Sequence, residues 1–173
     1  MKQPKCLICK KTYTRLNSLQ KTCTEWDCIS QLLKLNKLKK ARKELVAGRL
    51  KLKSLTDWLN DAQNVFNKWI RIRDGNFCIS CQRVHNGQIH AGHYRTVKAA
   101  SQLRFNELNV HSQCSACNNH LSGNITEYRI NLCKKIGTEQ VEALENNNET
   151  HRYTIEEAKQ IIKTYKERIK EER

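Results

Sequence analysis

Residues 78–120 read CISCQRVHNGQIHAGHYRTVKAASQLRFNELNVHSQCSACNNH, and the rest of the chain is best understood around them. A CxxC pair opens the stretch, Cys78 with Cys81, and a second pair, Cys114 with Cys117, stands near its end. Two intervening residues let both sulfurs of a pair reach one ion, and four thiolates complete the tetrahedral coordination of Zn²⁺. Because no coordination position stays open, we predict a structural zinc that joins the two ends of the intervening segment.

The segment between the two CxxC pairs has the pattern of short strands. The runs QIHAGHY (88–94), QLRF (102–105) and LNVHSQ (108–113) alternate in character, and Gly and Asn residues are scattered between them. Such runs are typical of short strands in hairpins. We therefore predict a small α+β protein stapled by zinc, with a hairpin inside the zinc-closed loop.

Two helices are predicted from their N-terminal signals. Ser54-x-x-Asp57 and Thr154-x-x-Glu157 resemble capping boxes, and the first of these helices is expected to end near Gly75. Apolar residues follow each box at helical spacing. These are Trp58, Ala62, Val65, Phe66, Trp69 and Ile70 in the first helix, and Ile155, Ala158, Ile161, Ile162, Tyr165 and Ile169 in the second. We interpret both apolar faces as core.

Four more cysteines lie near the N-terminus: Cys6, Cys9, Cys23 and Cys28. The opening MKQPKCLICKK has charged residues and cysteines where a signal peptide would be apolar. No apolar run reaches transmembrane length. We therefore expect a cytoplasmic protein. Thiols stay reduced in the cytosol, and paired cysteines there indicate metal ligands. We predict a second zinc in an N-terminal knuckle. Cys133, alone in an apolar helical stretch, is predicted to be a core thiol.

The charge of the chain indicates an acidic partner. It has 173 residues with a formal net charge of +15, and only 38% of them are hydrophobic. So few apolar residues limit the size of the hydrophobic core, which makes a metal staple more important. Lys and Arg neutralise phosphates, so DNA is the expected partner, with no membrane contact.

The basic residues concentrate in two places. Residues 34–53 hold nine basic residues and one acidic residue, in a predicted helix interrupted at Gly48. This balance favours an element that follows the phosphate backbone over a merely solvated helix. The candidates for DNA contact are Lys39, Lys40, Arg42 and Lys43 in this run, and Arg95, Lys98 and Arg104 beside the hairpin.

The chain divides by composition into four segments, and no internal repeat stands out. They are an N-terminal zinc knuckle (1–30), a basic helical segment (31–53), a zinc-containing core (54–137) and a C-terminal helical region (138–173).

Three residues of the core resemble a known nuclease motif. His93 lies in the hairpin, Asn109 stands shortly before the second CxxC pair, and Asn118 directly follows it. This set is similar to the HNH (ββα-metal) nuclease motif, in the subclass whose treble-clef-like finger is closed by four cysteines. The resemblance implies that His93 is the general base, that Asn109 helps to hold it, and that one divalent cation, Mg²⁺ or Mn²⁺, takes part.

A longer stretch resembles one phage family. CISC, AGHYRT, QLRFNE, the residues around the second CxxC pair and the later HRYTIEE segment are similar to the NinG (Rap) recombination proteins of lambda-like phages. The similarity runs from about Trp58 to the C-terminus and covers the front of the chain loosely. It implies a structure-selective endonuclease for Holliday junctions and D-loops, working in the host cell. Symmetric cutting of a junction would favour a homodimer, although no heptad seam supports one.

The residue chemistry agrees with hydrolysis of a phosphodiester. The reaction needs an activated water, charge relief at the phosphate and help for the departing oxygen. A histidine with an ordinary pKa near 6.5 is neutral at working pH and takes the proton from water. A hard cation such as Mg²⁺ supplies the charge relief.

We rank the candidate ligands of this cation by residue type and spacing. Asn118 comes first, since an amide oxygen is an acceptable ligand for Mg²⁺. His120 comes second, although two helical positions separate it from Asn118. His90 comes third, because on a regular strand it faces away from His93. Many HNH proteins carry an acidic residue or histidine just before the catalytic histidine, whereas this chain has Gly92.

Two other functions compete with the nuclease. A zinc-dependent DNA-binding recombination accessory protein would have lost catalysis, with Gly92 and Asn118 as signs of decay. An RNA-binding module should display aromatic stacking platforms, for which the zinc loop offers only Phe77, Tyr94 and Phe105.

Overall fold

A computed structural model describes residues 3–172 and divides the chain into two compact units between Lys53 and Ser54. The predicted boundary after residue 53 lies at the same place. The other two predicted boundaries, after 30 and after 137, fall inside a unit. The outermost positions of the predicted end segments, 1–2 and 173, lie outside the described residues.

The first unit consists of a small cysteine-bearing turn region followed by a long helix, α1 (Trp26–Lys51). The helix begins within the predicted knuckle and contributes Cys28, its buried residue, to that knuckle. The expected interruption at Gly48 was wrong, because the helix continues through this residue to Lys51. An isolated glycine lowers helix stability by only about 1 kcal/mol, which the surrounding Leu, Lys and Arg residues offset.

The second unit contains six helices and strands in the order α2, β1, β2, α3, α4, α5. Their bounds are α2 (Leu55–Asp74), β1 (Ile89–His93), β2 (Val110–Cys114), α3 (Ile125–Ile136), α4 (Thr138–Asn146) and α5 (Ile155–Glu171). A short helical turn lies between the two strands (Ser101–Leu103), and a wide helical turn follows β2 (Ala116–His120). No helix in the described part of the chain is both long and apolar enough to cross a bilayer.

The two capping boxes are confirmed. Ser54 Oγ accepts from the Asp57 backbone N–H and Thr154 Oγ1 accepts from that of Glu157, each reciprocated by the acidic side chain. Helix α2 ends at Gly75, whose φ of +61° suits glycine. Only two of the three predicted strand runs are strands, because residues 102–105 form successive turns instead, beginning with Leu103 N–H to Ala100 O.

The hairpin of β1 and β2 is the centre of the second unit. The strands pair antiparallel without a bulge, from Ile89 opposite Cys114 to His93 opposite Val110. Alternate residues therefore face opposite sides of the hairpin. One face packs on α2 and α5, where Val110 joins the apolar cluster they form. That cluster contains Phe66, Trp69, Ile70, Tyr165 and Ile169.

The opposite face of the hairpin packs against α3, whose Tyr128 is fully buried. Tyr128 belongs to a second core cluster that joins α3 and α4 to the loops around the hairpin. Its other buried members are Ile79, Tyr94, Ala100, Leu103, Leu132, Val141 and Leu144. Cys133 packs against this cluster but is only half-buried, whereas its apolar surroundings predict a buried core thiol.

The end of α2 is bonded to both the hairpin and α3 through Asp74. Its carboxylate receives two hydrogen bonds from Arg73 (2.8 Å each), one from the Ser112 backbone N–H (3.0 Å) and one from Lys135 Nζ (3.2 Å). Arg73 in turn donates to the Val110 carbonyl at 2.9 Å. Although burial raises it, the hydrogen bonds and charge of Arg73 lower the pKa of Asp74 to about 2. The carboxylate is therefore charged at neutral pH and fixes the position of β2.

Asp74→Asn should lower the free energy of unfolding at pH 7 by roughly 2–3 kcal/mol, because Arg73 and the Ser112 N–H lose a charged acceptor. Urea unfolding of the zinc-loaded chain measures this difference. Glu142→Gln on the exposed side of α4 makes the same change of charge and should alter stability by less than about 0.5 kcal/mol. Equal stability of Asp74→Asn and the wild type would disprove this role of Asp74.

Candidate functional site

The second unit brings four cysteines together as one candidate metal site. The ligand atoms of Cys78, Cys81, Cys114 and Cys117 all lie within 4.8 Å of one another. The first two come from the turn after α2, the third ends β2 and the fourth lies in the wide turn. The cluster could hold an ion such as zinc, and its position joins the two ends of the hairpin segment as the spacing predicts.

The turn that carries the first two of these cysteines is a compact knuckle. Cys78 N–H donates to Arg83 O (2.9 Å) and Gln82 N–H donates to Cys78 O (3.0 Å). Phe77 and Val84 form an antiparallel bridge at its base. Gln82 adopts a φ of +55°, which turns the chain sharply after Cys81.

The first unit repeats this knuckle. Cys6 N–H donates to Lys11 O (2.8 Å), Lys10 N–H donates to Cys6 O (3.0 Å), and the φ of Lys10 is +63°. An antiparallel bridge again closes the base. The cluster that it begins contains Cys6, Cys9, Cys23 and Cys28, with all ligand atoms within 4.8 Å of one another. A local repeat is therefore present that the sequence did not make apparent.

Each knuckle directs backbone N–H groups at its first sulfur. Burial raises the pKa of the Cys6 thiol, but N–H groups of Cys23, Cys9 and Ile8 lower it to about 6. The pKa of Cys78 is also lowered, by N–H groups of Cys81 and Cys114 that outweigh its burial. The first sulfur of each cluster is therefore favoured as the thiolate that binds a metal ion, whereas burial raises the pKa of Cys28 and of Cys117 to about 12.

His93 is the last residue of β1, and one of its two ring nitrogens forms a hydrogen bond. Its Nε2 lies 3.0 Å from the Arg104 carbonyl. A carbonyl can only accept, so Nε2 carries the proton and Nδ1 carries the lone pair in the neutral ring. Nδ1 has no hydrogen-bond partner within residues 3–172. Burial lowers the pKa of His93, as does the charge of Arg104, while the bond to the Arg104 carbonyl opposes them.

Asn109 is fully buried and holds the backbone around the hairpin loop. Its Oδ1 accepts from Arg95 N–H (2.8 Å), and its Nδ2 donates to Arg95 O (3.0 Å) and Leu103 O (3.2 Å). Its own carbonyl accepts from Tyr94 N–H at 2.8 Å. Asn109 therefore bonds to the segment directly after His93 rather than to the His93 ring.

A buried chain of hydrogen bonds supports the residue before His93. Tyr128 donates to the Gly92 carbonyl at 3.0 Å, and His111 Nδ1 lies 3.2 Å from the same hydroxyl. Since the tyrosine proton goes to Gly92, His111 Nδ1–H is the donor to Tyr128. Burial lowers the pKa of His111 to about 3, so the ring stays neutral and keeps this chain intact.

Asn118 lies beside Gly92 on the face of the hairpin that meets α3. A Cβ atom placed on Gly92 would lie 3.1 Å from Asn118 Oδ1 and only 1.8 Å from Gln113 Oε1. Gly92 therefore permits both side chains to approach the strand. The Asn118 amide oxygen is next to the residue that precedes His93, whereas the alternation along β1 directs the His93 side chain to the opposite face of the hairpin.

The two histidines predicted as further ligands differ in position. His90 pairs with Gln113 across the hairpin and shares a face with Gly92. Its Nε2 is buried and without a hydrogen-bond partner among the described residues. His120 is exposed at the end of the wide turn.

Arg95 has a different use from the predicted phosphate contact. One of its terminal nitrogens donates to the carbonyls of Leu144, Glu145 and Asn147 at 2.8–2.9 Å. The guanidinium therefore caps the C-terminal end of α4, where the last carbonyls of a helix lack partners. The end of α4 could not be located from sequence, so this role was not foreseen.

Arg104 is also engaged within the fold. Its Nε donates to Gln63 Oε1 at 2.9 Å, and its guanidinium lies over the Phe105 ring. Lys98 is exposed beside the hairpin and remains a candidate for phosphate contact.

The basic residues of α1 are exposed throughout. Lys39, Lys40, Arg42 and Lys43 all face solvent, and Lys40 lies 3.9 Å from Glu44 in a loose ion pair. Exposed pairs of this kind stabilise a helix by only a few tenths of a kcal/mol. The charge of this helix therefore stays available for an external partner.

Comparison with known proteins identifies the family. Residues 1–173 match the family model described as Bacteriophage Lambda NinG protein. The chain belongs to the NinG family. It is 46% identical over 129 residues to Protein ninG of Escherichia phage lambda, and 44% and 43% identical over 129 residues to those of Escherichia phage 933W and Salmonella phage P22.

The aligned part covers 74% of this chain and 63–64% of these NinG relatives, so the chain spans less than two thirds of their length. No solved structure matches it. The geometry above is therefore the basis for assigning roles within this NinG-family chain.

Sequence reasoning missed three buried polar residues around the hairpin. Asp74 fixes β2, Tyr128 supports Gly92, and Gln113 lies against Gly92. Gln113 shares strand parity with His111, which is a weak signal that it faces the same side. The roles of Asp74 and Tyr128 depend on contacts between distant elements, for which a single sequence has no signal.

We expect the purified chain to bind two zinc ions, one in each cysteine cluster. Cys114→Ser should lower the zinc content to one and unfold the second unit, since serine is a poor zinc ligand. Cys9→Ser should also lower it to one. Elemental analysis with circular dichroism measures both effects. Cys133→Ser is the control and should keep two ions, and its loss of zinc would show that the ligand assignment is wrong.

Proposed function

We propose that this chain is an HNH-type (ββα-metal) endodeoxyribonuclease that hydrolyses phosphodiesters in branched recombination intermediates such as Holliday junctions and D-loops. The observation that carries the proposal is the state of His93. Its Nε2 donates to the Arg104 carbonyl, and Nδ1 at the end of β1 has no hydrogen-bond partner within residues 3–172 and can accept a proton. The adjoining Gly92 lies beside the Asn118 amide oxygen.

His93 acts as the general base. Nδ1 takes a proton from water, the water oxygen forms a bond to phosphorus, and the bond from phosphorus to the departing oxygen breaks. The departing oxygen then takes up a proton. A neutral ring is required for this step, and burial favours the neutral form by lowering the pKa of His93.

The residues beside Gly92 fit a hard divalent cation. Asn118 offers an amide oxygen, and His90 has a buried ring nitrogen without a partner in residues 3–172. A bound Mg²⁺ or Mn²⁺ would stabilise negative charge on the phosphate and on the departing oxygen. The exposed His120 is a weaker candidate for this role.

Asn109 and Tyr128 are positioning residues in this mechanism. Asn109 holds the Arg95 backbone just after His93, and Tyr128 holds the Gly92 carbonyl just before it. The backbone on both sides of the base is thus fixed by buried side chains. Such preorganisation reduces the free energy needed to reach the reactive geometry.

Phosphate attraction is supplied by the net charge of +15 and by the exposed cations of α1. Contacts of this kind position DNA without reading its sequence. Such contacts suit an enzyme that recognises its DNA substrate by shape. The choice of branched DNA rests further on membership of the NinG family.

His93→Ala should lower cleavage of DNA by about 10²–10⁴-fold while binding is retained, because only the proton acceptor is lost. Labelled linear, forked and four-way DNA, with and without Mg²⁺ or Mn²⁺, provide the measurement. His151→Ala, an exposed histidine paired with Glu157, is the matched control and should cleave normally. If the wild type binds DNA but never cuts it, the chain is a zinc-dependent accessory protein.

The cleavage rate should rise with pH and reach a plateau, since protonated His93 cannot accept a proton. Because the pKa of His93 lies below its ordinary value of 6.5, the midpoint should fall below pH 6.5 and the rate should be nearly constant from pH 7 to 8. Single-turnover rates with zinc content checked at each pH provide the profile. A rate that falls as pH rises through 6–7 would exclude His93 as the base.

A further inference from the structure

Gln113 is a buried amide whose orientation is fixed by its neighbours. The residue is 1% exposed, and its Nε2 donates to Ser80 Oγ (2.6 Å) and to the Gly123 carbonyl (2.7 Å). Because a carbonyl only accepts, the nitrogen must face Gly123 and Oε1 must face away from it. That oxygen is buried and has no partner among residues 3–172. Buried acceptors are nearly always satisfied, so an unseen partner is expected here.

The unsatisfied oxygen occupies the space that a side chain at position 92 would need. A Cβ atom on Gly92 would lie 1.8 Å from Gln113 Oε1 and 3.1 Å from Asn118 Oδ1. The distance of 1.8 Å is far shorter than any non-bonded contact. Position 92 must therefore be glycine for Gln113 to reach this place.

Asn118 presents a second oxygen to the same place. Its Nδ2 donates to Asn119 Oδ1 at 2.8 Å, which turns the amide oxygen toward Gly92. Both oxygens lie close to the same point beside Gly92, and Gln113 Oε1 has no hydrogen-bond donor among residues 3–172. A cation between them would satisfy both, and oxygen is the ligand that Mg²⁺, Mn²⁺ and Ca²⁺ prefer.

We infer that Gln113 Oε1 and Asn118 Oδ1 together bind a divalent cation, with Gln113 replacing the acidic side chain that position 92 lacks. The inference rests on the proposed function, because it supplies the ligand set of the same site. It also explains why Gly92 is compatible with a working site. The side-chain amide of Gln113 reaches across from β2 to the place that a side chain at position 92 of β1 would occupy.

The chemistry of this pair predicts a weak site that prefers hard ions. Both amides are neutral, and affinity for a divalent cation falls as the number of charged ligands falls. Water and a DNA phosphate would complete the coordination. Zinc is retained by the cysteine clusters, since thiolates bind it much more strongly than they bind Mn²⁺.

The test is a titration of the zinc-loaded full chain with Mn²⁺, without DNA, following the electron paramagnetic resonance of the free ion. Gln113→Met keeps the side-chain volume but removes the oxygen, and should weaken Mn²⁺ binding at least about tenfold. Gln102→Met is the matched control, because Gln102 also donates to a backbone carbonyl, that of Asn147 at 2.6 Å. It should bind Mn²⁺ like the wild type.

A double variant tests whether the oxygen ligand can be moved from position 113 to position 92. Gly92→Asp combined with Gln113→Ala returns a carboxylate to β1 and makes room for it. This double variant should bind Mn²⁺ on the order of tenfold more tightly than the wild type, since a charged ligand replaces a neutral one. Gly92→Ala alone should lose binding, because its Cβ displaces the Gln113 oxygen. Zinc content and circular dichroism establish that each variant is folded.

The outcomes separate this site from the nuclease itself. Mn²⁺ binding that depends on Gln113, in a chain that cuts no DNA, supports the site and overturns the nuclease. Cleavage and Mn²⁺ binding that are both unchanged in Gln113→Met overturn the site and keep the nuclease. A wild type that binds no Mn²⁺ also overturns the site, as does a double variant no better than Gly92→Ala.

Discussion

The convergence of the four cysteine sulfurs of Cys78, Cys81, Cys114 and Cys117 is the constraint on which the second unit depends. It joins the turn after α2 to the end of β2 and to the wide turn that carries Asn118. Few apolar residues are available to hold these segments, since the chain is only 38% hydrophobic. A bound zinc contributes on the order of 10–16 kcal/mol in small domains, which can replace a larger core.

Buried hydrogen bonds add to the constraint that the cysteine cluster imposes on the hairpin. Asp74 fixes β2 from one side, and the chain from His111 through Tyr128 supports β1 from the other. Asn109 then holds the backbone that follows His93. These polar groups are hydrogen-bonded within the protein, whereas His93 Nδ1 and Gln113 Oε1 have no partner in the described part of the chain, residues 3–172. Among residues 3–172 the buried polar atoms without a hydrogen-bond partner are His90 Nε2, Ser112 Oγ and Gln113 Oε1, of which the first and last share the face of the hairpin that carries Gly92.

The sequence revealed those features whose cause is local. Cysteine spacing located both clusters, through two CxxC pairs in the second unit and through one CxxC pair with the looser Cys23-x4-Cys28 pair in the first. The capping boxes located α2 and α5, because helix caps depend on residues close in the chain. The roles of Arg95 and Gln113 escaped prediction. Arg95 caps α4 from about fifty residues away and Gln113 fills the space beside Gly92. Both depend on which segments the fold brings together, and a single sequence contains no signal for that.

The most direct test is a crystal structure of the zinc-loaded chain with a four-way DNA junction and Mn²⁺, recorded with anomalous scattering at the zinc and manganese edges. The account predicts zinc in both cysteine clusters, manganese beside the Asn118 amide oxygen, and a DNA phosphate within reach of a water held by His93 Nδ1. Manganese elsewhere, with DNA bound along α1 and no phosphate near His93, would contradict it.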